Sequence, residues 1–141
     1  MARIKLTVPD AFTFSAKIPI RITDLNYGAH VGNDTVLSLI HEARMQYLKA
    51  IGYTEFEFEG VGLIMSDVAI EFKAEVFYGD IIEVYVTAGE FSKAGFDLYY
   101  KVAKATPEKI VAIAKTGMVC FDYKKRKVVS VPADAVRKLN E

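Results

Sequence analysis

Three side chains that can act as acids or bases, Asp24, His30 and Asp34, lie within one short stretch of the chain together with the amide of Asn26. Carboxylates and imidazoles can move protons, and the glycines between them precede an apolar pattern of helical period. A loop that opens a helix leaves backbone N–H groups without acceptors, at the positive end of the helix dipole. Aspartate and asparagine also form turns, so the stretch predicts a candidate site without naming a substrate.

The loop amides are candidates for binding a negatively charged intermediate. The N–H groups of Ala29, His30, Val31 and Gly32 precede the predicted helix and could stabilise a developing oxyanion. Tyr27, Val31 and Gly32 are predicted to contact the substrate. A polar turn without chemistry explains the same composition, and that alternative stays open at this point.

The helix that follows is predicted from about Asp34 to Ile51. Asn33 or Asp34 is a suitable N-cap, and Gly52 is a natural stop. At 100° per residue one broad apolar face forms, made of Val36, Leu37, Ile40, Ala43, Tyr47, Leu48 and Ile51. Arg44 falls inside this face, so it is expected to reach the edge or to pair with an acid. Glu42 lies on the opposite side of the helix.

The rest of the chain has the two-residue alternation of strands. Residues 13–22 form one such segment, in which Pro19 suggests an edge strand or a bulge because it lacks an amide donor. After the helix, alternation over 67–76, 82–87, 96–102 and 110–123 predicts four strands in a meander. A short helix over 133–139 closes the chain.

This order predicts an α+β protein, with an antiparallel five-stranded sheet wrapped around one long central helix. A chain of 141 residues without repeats or linkers is expected to be one domain over residues 1–141. One helix leaves sheet edges and a sheet face in need of cover, which favours a homodimer or homotetramer.

Composition excludes several classes of function. The 18 basic and 18 acidic residues balance, which argues against nucleic acid or an anionic membrane as the main partner. The basic run Lys124–Lys127 is predicted to be a charged turn, with phosphate binding as the minority alternative. Cys120 is predicted to be a buried thiol, and the sequence is expected to hold no zinc motif, signal peptide or membrane span. The expected location is the cytoplasm.

The loop and its surroundings resemble the 4-hydroxybenzoyl-CoA thioesterase-like branch of the hotdog superfamily. The loop of that family reads Asp-x-Asp-x-x-Gly-His-Val-Asn-Asn. Anchored on the histidine, it places Asp24 at the first aspartate, Asn26 at the second, His30 at the histidine and Asn33 at the last asparagine. The further matches are the helix phrase His41-Glu42-Ala43-Arg44, the turn Tyr78-Gly79-Asp80, and Pro132 ahead of the last helix.

The resemblance implies hydrolysis of an acyl-CoA thioester at a subunit interface, without a metal or organic cofactor. Two departures matter. The family's second aspartate, its nucleophile or base, is Asn26 here, and an amide cannot activate water as a carboxylate does. The family's glycine before the histidine is Ala29. Asp24, Asp34 and Glu42 are therefore the candidate replacement bases.

Two other functions stay open on the sequence. Asp24 and His30 also resemble the acid–base pair of hotdog enoyl-CoA hydratases, although Tyr27 replaces a proline and one extra residue precedes the histidine. Loss of the base at Asn26 would instead leave a protein that binds acyl-CoA without turnover.

Overall fold

The long helix packs on one face of a single antiparallel sheet in the computed structural model, which describes residues 1–141. The elements are β1 (Phe14–Pro19), a 3-10 turn (Ile22–Asp24), α1 (Asn33–Ala50), β2 (Gly62–Phe72), β3 (Ile81–Gly89), β4 (Gly95–Ala105), β5 (Glu108–Asp122), β6 (Lys127–Val128) and α2 (Ala133–Leu139). This confirms the predicted α+β class, with the two-residue β6 as an addition to the five predicted strands.

The sheet order is β1-β3-β4-β5-β2, with β6 beside the end of β5. Hairpins join β3, β4 and β5, so this part of the predicted meander is confirmed. The placement of β2 next to β3 was wrong, because β2 pairs with β5 at the opposite edge. Alternation reports which face a side chain occupies and carries no information about the neighbouring strand. β1 is the other edge strand, as Pro19 predicted.

The boundaries of β2 also differ from the prediction. The strand begins at Gly62, and it ends at Phe72 rather than continuing to Val76. The amides of Lys73 and Ala74 both donate to the carbonyl oxygen of Val111, at 2.8 and 3.1 Å, which turns the chain out of the sheet. Residues 73–76 therefore run beside the start of α1, where they matter for the site.

The core lies between α1 and the sheet, and it contains most of the predicted apolar face. Leu37 and Ile51 are only half-buried, whereas Leu39 is buried although it was outside the predicted stripe. Arg44 is 4% exposed and pairs with Glu55 through Nε at 3.0 Å, so its predicted pairing with an acid is confirmed.

The end of α1 is closed by hydrogen bonds across a glycine. The Tyr53 amide donates to the Leu48 carbonyl oxygen at 2.8 Å, and the Gly52 amide donates to that of Lys49 at 3.0 Å. Gly52 has a φ of +89°, the left-handed conformation that this Schellman arrangement requires. The predicted stop at Gly52 is confirmed.

Candidate functional site

Asp24 organises the entrance to the loop. Its carboxylate accepts from the Arg21 backbone amide at 2.8 Å and from Arg21 Nη2 at 3.2 Å, and the residue is 4% exposed. Neither Arg44 nor His30 bonds to Asp24, because Arg44 pairs with Glu55 and His30 contacts a backbone carbonyl. A buried carboxylate with two local donors is suited to holding a turn.

Asn26 bends the loop back on itself. Its Oδ1 accepts from the Gly28 amide at 2.8 Å, its own amide donates to the His30 carbonyl oxygen at 2.8 Å, and the Ala29 amide donates to the Asn26 carbonyl oxygen at 3.1 Å. Ala29 has a φ of +65°, so this alanine adopts the left-handed conformation that favours glycine. Because Oδ1 accepts this hydrogen bond, only Nδ2 of the Asn26 side chain remains free, and it can donate to a ligand.

His30 lies at the rim of the loop, with its Nδ1 3.1 Å from the Val31 carbonyl oxygen. A carbonyl can only accept, so Nδ1 carries the proton in the neutral ring and Nε2 keeps a lone pair. The Val31 amide donates to the Val76 carbonyl oxygen at 2.9 Å, which ties the loop to residues 73–76.

The set of available amides differs from the predicted one. The amides of Ala29 and Val31 donate to backbone carbonyls. The prediction that they could bind an oxyanion was therefore wrong. The amides of Asn33, Asp34 and Thr35, which form the first turn of α1, donate to no acceptor in the chain. The sequence prediction missed them because it began the helix at Asp34 and expected a side-chain cap.

The helix instead begins at Asn33, with Gly32 as N-cap and no side-chain cap. Gly32 also brings two of the predicted residues together. A Cβ at this glycine would stand 2.7 Å from Oδ1 of Asp34, 3.6 Å from Cβ of Asn26 and 3.7 Å from its Nδ2. The Asn26 amide and the Asp34 carboxylate therefore converge on the open end of α1. Asp34 is exposed and accepts no hydrogen bond.

Glu42 lies elsewhere. Eight residues of helix separate it from Asp34, a rise of about 12 Å, and its Oε2 accepts from Gln46 Nε2 at 2.8 Å. With Asp24, Lys17 and others it lines a separate cleft of about 330 Å³. One chain thus places Glu42 in the same cleft as Asp24, whereas Asn26, His30 and Asp34 do not line that cleft.

An apolar cavity of about 280 Å³ opens beside the helix start. Its polar edge is formed by His30, Asn33, Lys73 and Glu75, and its apolar wall consists of Val31, Val36, Phe72, Ala74, Val76 and Val111. We call it the His30 pocket. Val31 was predicted to contact substrate, whereas the wall residues beyond position 70 were missed. Their only signal is alternation, which also describes ordinary core.

The remaining predicted residues take these positions. Tyr27 is fully exposed and lines none of the cavities described above, whereas Gly32 is buried. Cys120 is buried, and burial raises the pKa of its thiol to about 11. No three side chains of the histidine, cysteine, aspartate or glutamate type cluster as metal ligands. None of the helices has the length and apolar character needed to cross a bilayer.

Comparison with known proteins places this geometry in a family. Residues 20–139 match the model of the thioesterase-like superfamily. A 1,4-dihydroxy-2-naphthoyl-CoA hydrolase of Microcystis aeruginosa is 34% identical over 109 residues, covering 75% of this chain and 74% of that protein. An Aquifex aeolicus protein with a provisional esterase name is 26% identical over 132 residues, covering 92% and 98%.

A solved structure shows the same fold. The 1,4-dihydroxy-2-naphthoyl-CoA thioesterase of Synechocystis superposes with a TM-score of 0.83 at 21% identity, covering 91% of this chain and 96% of that one. The predicted resemblance to the hotdog thioesterases is thereby confirmed. With the family model matching most of its length, the chain belongs to the thioesterase-like superfamily.

Proposed function

We propose that this protein hydrolyses an acyl-CoA thioester to the free acid and CoA. The observation that carries the proposal is the open N-terminus of α1. The amides of Asn33, Asp34 and Thr35 donate to no acceptor there, and the side chains of Asn26 and Asp34 lie next to them. Such donors stabilise the oxygen of a tetrahedral intermediate more than that of the planar thioester.

In the proposed reaction water attacks the thioester carbonyl carbon. A carboxylate takes one proton of that water as the C–O bond forms, and the carbonyl oxygen becomes the oxyanion at the helix start. Collapse of the intermediate breaks the C–S bond. The CoA sulfur leaves with the proton that the carboxylate received, and the acid product remains. Asn26 contributes its free Nδ2 donor to the carbonyl oxygen rather than a base.

Asp34 is the base that the geometry of one chain favours. It lies at the helix start, is exposed and has no hydrogen-bond donor occupying it, whereas Asp24 is committed to Arg21. Glu42 stays a candidate only if a second subunit brings it to the site. His30 offers an unprotonated Nε2 at the rim of the His30 pocket, which suits a hydrogen bond to water or substrate.

The acyl group is proposed to enter the His30 pocket. Its wall is apolar, and Phe72 on that wall is 44% exposed, so an aromatic acyl group would find a ring to stack against. The naphthoyl-CoA hydrolase and thioesterase names of two similar proteins make aryl-CoA thioesters the first substrates to test.

The active species is proposed to be a homodimer or a homotetramer with the site at a subunit interface. β2 is an edge strand of eleven residues, and Val68 and Phe72 on it are 39% and 44% exposed. A long edge with exposed apolar side chains is a template for pairing with another chain. Tyr27, beside the site, would gain cover from a partner or from the substrate.

The test is release of free thiol from a panel of acyl-CoA thioesters with short, medium, long and aromatic acyl groups. Turnover of at least one thioester, lost when Asp34 is changed, supports the proposal. No turnover across the panel, combined with measurable binding of CoA esters, would show a binding protein whose base was lost at Asn26.

The same panel tests hydratase activity through loss of the enoyl absorbance of a trans-2-enoyl-CoA. That chemistry needs Asp24 and His30 as a pair. The Asp24 carboxylate bonds to Arg21, and the His30 ring bonds to the Val31 carbonyl. We therefore expect no hydration.

A further inference from the structure

One lysine of the sheet reaches the His30 pocket from behind. Lys104 lies near the end of β4, opposite the buried Ile82 of β3. Because opposite residues of neighbouring antiparallel strands share a face, the Lys104 side chain is on the face that α1 covers. It is 11% exposed, less than the other lysines that form ion pairs, which are Lys73, Lys115 and Lys138. A lysine with so little exposure needs partners for its ammonium.

The Lys104 ammonium has three such partners. Its Nζ donates to the Glu75 carbonyl oxygen at 3.3 Å and lies 3.6 Å from Oδ2 of Asp80. It also lies over the ring of Phe77, 5.6 Å from the centroid. A carbonyl, a carboxylate and an aromatic face are all groups that attract an ammonium. All three belong to residues 75–80, so one side chain connects β4 to the chain that leads into β3.

The carboxylate partner of Lys104 is itself fixed. Oδ2 of Asp80 accepts from the Phe77 amide at 2.9 Å, and the Asp80 amide donates back to the Phe77 carbonyl oxygen at 3.1 Å. The Asp80 carbonyl oxygen accepts from the amide of Ile20, just after β1, at 3.0 Å. The turn Tyr78-Gly79-Asp80 is thus anchored to the sheet, and it holds the Lys104 ammonium in one place.

Residues 73–76, called the pocket segment below, contribute four of the ten residues that line the His30 pocket. The first two amides of the segment donate to the Val111 carbonyl oxygen, and its last carbonyl oxygen accepts from the Val31 amide. Between these ends lies Glu75, whose only hydrogen bond is the one from Lys104. The middle of the pocket segment therefore depends on Lys104 for its position.

This dependence matters because the pocket segment has left the sheet. β2 ends at Phe72, so no ladder of backbone hydrogen bonds holds the residues that follow it. Segments with few backbone hydrogen bonds open at low cost in free energy. A displacement of this one would widen or narrow the space between it and Val36 on α1. An apolar pocket selects its ligand by the fit of its walls.

We propose that Lys104 is a positioning residue that holds the pocket segment in place and thereby determines which acyl groups the His30 pocket accepts. This inference rests on the thioesterase function and the acyl pocket proposed above. Lys104 contacts the pocket segment through its backbone and does not line the pocket. Acyl groups large enough to reach the segment should depend on Lys104, whereas the smallest acyl groups should not.

The first experiment compares Lys104→Met with the control Lys115→Met. Methionine keeps most of the apolar stem and removes the ammonium in both variants. Lys115 also bridges two acceptors, with Nζ 2.7 Å from Oδ1 of Asp67 and 3.3 Å from Oδ1 of Asp97. None of these three residues lines the His30 pocket. The control therefore removes a similar ion-pair network from a part of the sheet that does not form the pocket.

The measurement is kcat/KM for the largest and the smallest acyl-CoA that the wild type hydrolyses. In Lys104→Met the ratio of the large to the small substrate should fall about tenfold, mainly through KM of the large one. In Lys115→Met it should stay within twofold. An unchanged ratio in Lys104→Met, or an equal change in the control, would overturn this proposal and leave the thioesterase function standing.

The second experiment needs no substrate, so it tests the position of the pocket segment even if the protein hydrolyses no thioester. Hydrogen exchange is followed by mass spectrometry on peptides that cover residues 73–80. Exchange there should become about fivefold faster in Lys104→Met, while peptides of α1 stay as in wild type. Unchanged exchange over residues 73–80 would refute the positioning role, whatever the activity.

Asp80→Asn gives a milder version of the same test. Asparagine keeps an oxygen that can accept from the Phe77 amide, and it removes the charge that faces Lys104. The preference for the large acyl group should fall about twofold to threefold, in line with the contribution of one partly exposed ion pair. If Lys104→Met does not fold, this variant decides the question, and an unchanged acyl preference in it would overturn the proposal.

Discussion

The two ends of α1 are finished in opposite ways. At its start no side chain caps the helix, three amides have no acceptor, and Asp34 is exposed and unpaired. At its end a Schellman arrangement around Gly52 occupies the carbonyls of Leu48 and Lys49, and Glu55, which follows the helix, bonds to Arg44 and His41 further back along it. The start thus has backbone donors without acceptors, whereas the end has carbonyls that the chain itself occupies.

This difference indicates that the start of α1 serves to bind substrate, whereas the end of α1 serves to stabilise the fold. An uncapped helix start gives up about 1 kcal/mol that a Ser, Thr, Asp or Asn cap contributes, and the donors it leaves free are those an oxyanion needs. The closed end anchors the helix, because the buried Arg44 also donates to Tyr100 Oη at 3.4 Å and that hydroxyl meets Thr116 Oγ1 at 2.8 Å. Changes at the start should therefore alter catalysis, and changes at the end should alter the free energy of unfolding.

The largest effect is expected from Asp34→Asn. Removing the proposed base should lower kcat by about 10³-fold, within the range that general bases contribute, with the thermal midpoint nearly unchanged. Thiol release under saturating acyl-CoA measures it. Glu42→Gln is the matched acid variant, and a larger loss of kcat there than in Asp34→Asn would assign the base to Glu42 supplied by a second subunit.

Arg44→Met tests the closed end. It leaves the Glu55 carboxylate without its buried partner and removes a donor to Tyr100, so the free energy of unfolding should fall by about 2–3 kcal/mol. Urea denaturation measures this change, while kcat per folded molecule should stay within twofold. A large loss of kcat in fully folded protein would show that the two ends are coupled.

A pair of glycine substitutions then compares the two ends directly. Gly32→Ala introduces no backbone strain, since its φ is −71°, but its Cβ would displace the Asp34 carboxylate. We expect kcat to fall about tenfold and the free energy of unfolding to change by about 0.5 kcal/mol. Nearly normal kcat would show that Asp34 does not need its present position.

Gly52→Ala should show the reverse. No atom lies within 4 Å of the added Cβ, so the whole cost is that of a left-handed alanine, about 1 kcal/mol of the free energy of unfolding. Urea denaturation and thiol release on the same sample give both values. A loss of kcat above twofold would contradict the separation of the two ends.

The smallest effect is expected from His41→Ala. His41 Nε2 lies 2.8 Å from Oε1 of Glu55, and the His41 side chain is 52% exposed. Exposed ion pairs contribute little to stability. The free energy of unfolding should change by less than about 0.5 kcal/mol and kcat by less than twofold. A larger fall in kcat would make His41 part of the site.

Local pattern was enough to predict much of the fold. Periodicity predicted α1, α2 and the strands, Pro19 predicted an edge, and Gly52 predicted the helix stop, because each depends on a few neighbouring residues and their backbone preferences. The order of Asp24, Asn26 and His30 before a helix was enough to indicate the family. The pairing of β2 with β5 was out of reach, since strand partners are chosen by contacts distant in sequence.

The candidate site also has features that the sequence indicates and features that only the tertiary structure shows. By itself the sequence determined that a polar loop with Asn26 in place of a carboxylate precedes a helix in a thioesterase-like chain. Only the tertiary structure decided that Asp24 is committed to Arg21, that Gly32 lets Asn26 and Asp34 converge, and that three amides stay free. The physical reason is that hydrogen-bond commitment depends on where a side chain or an amide finds its partner in space, and residue type and spacing do not contain that information.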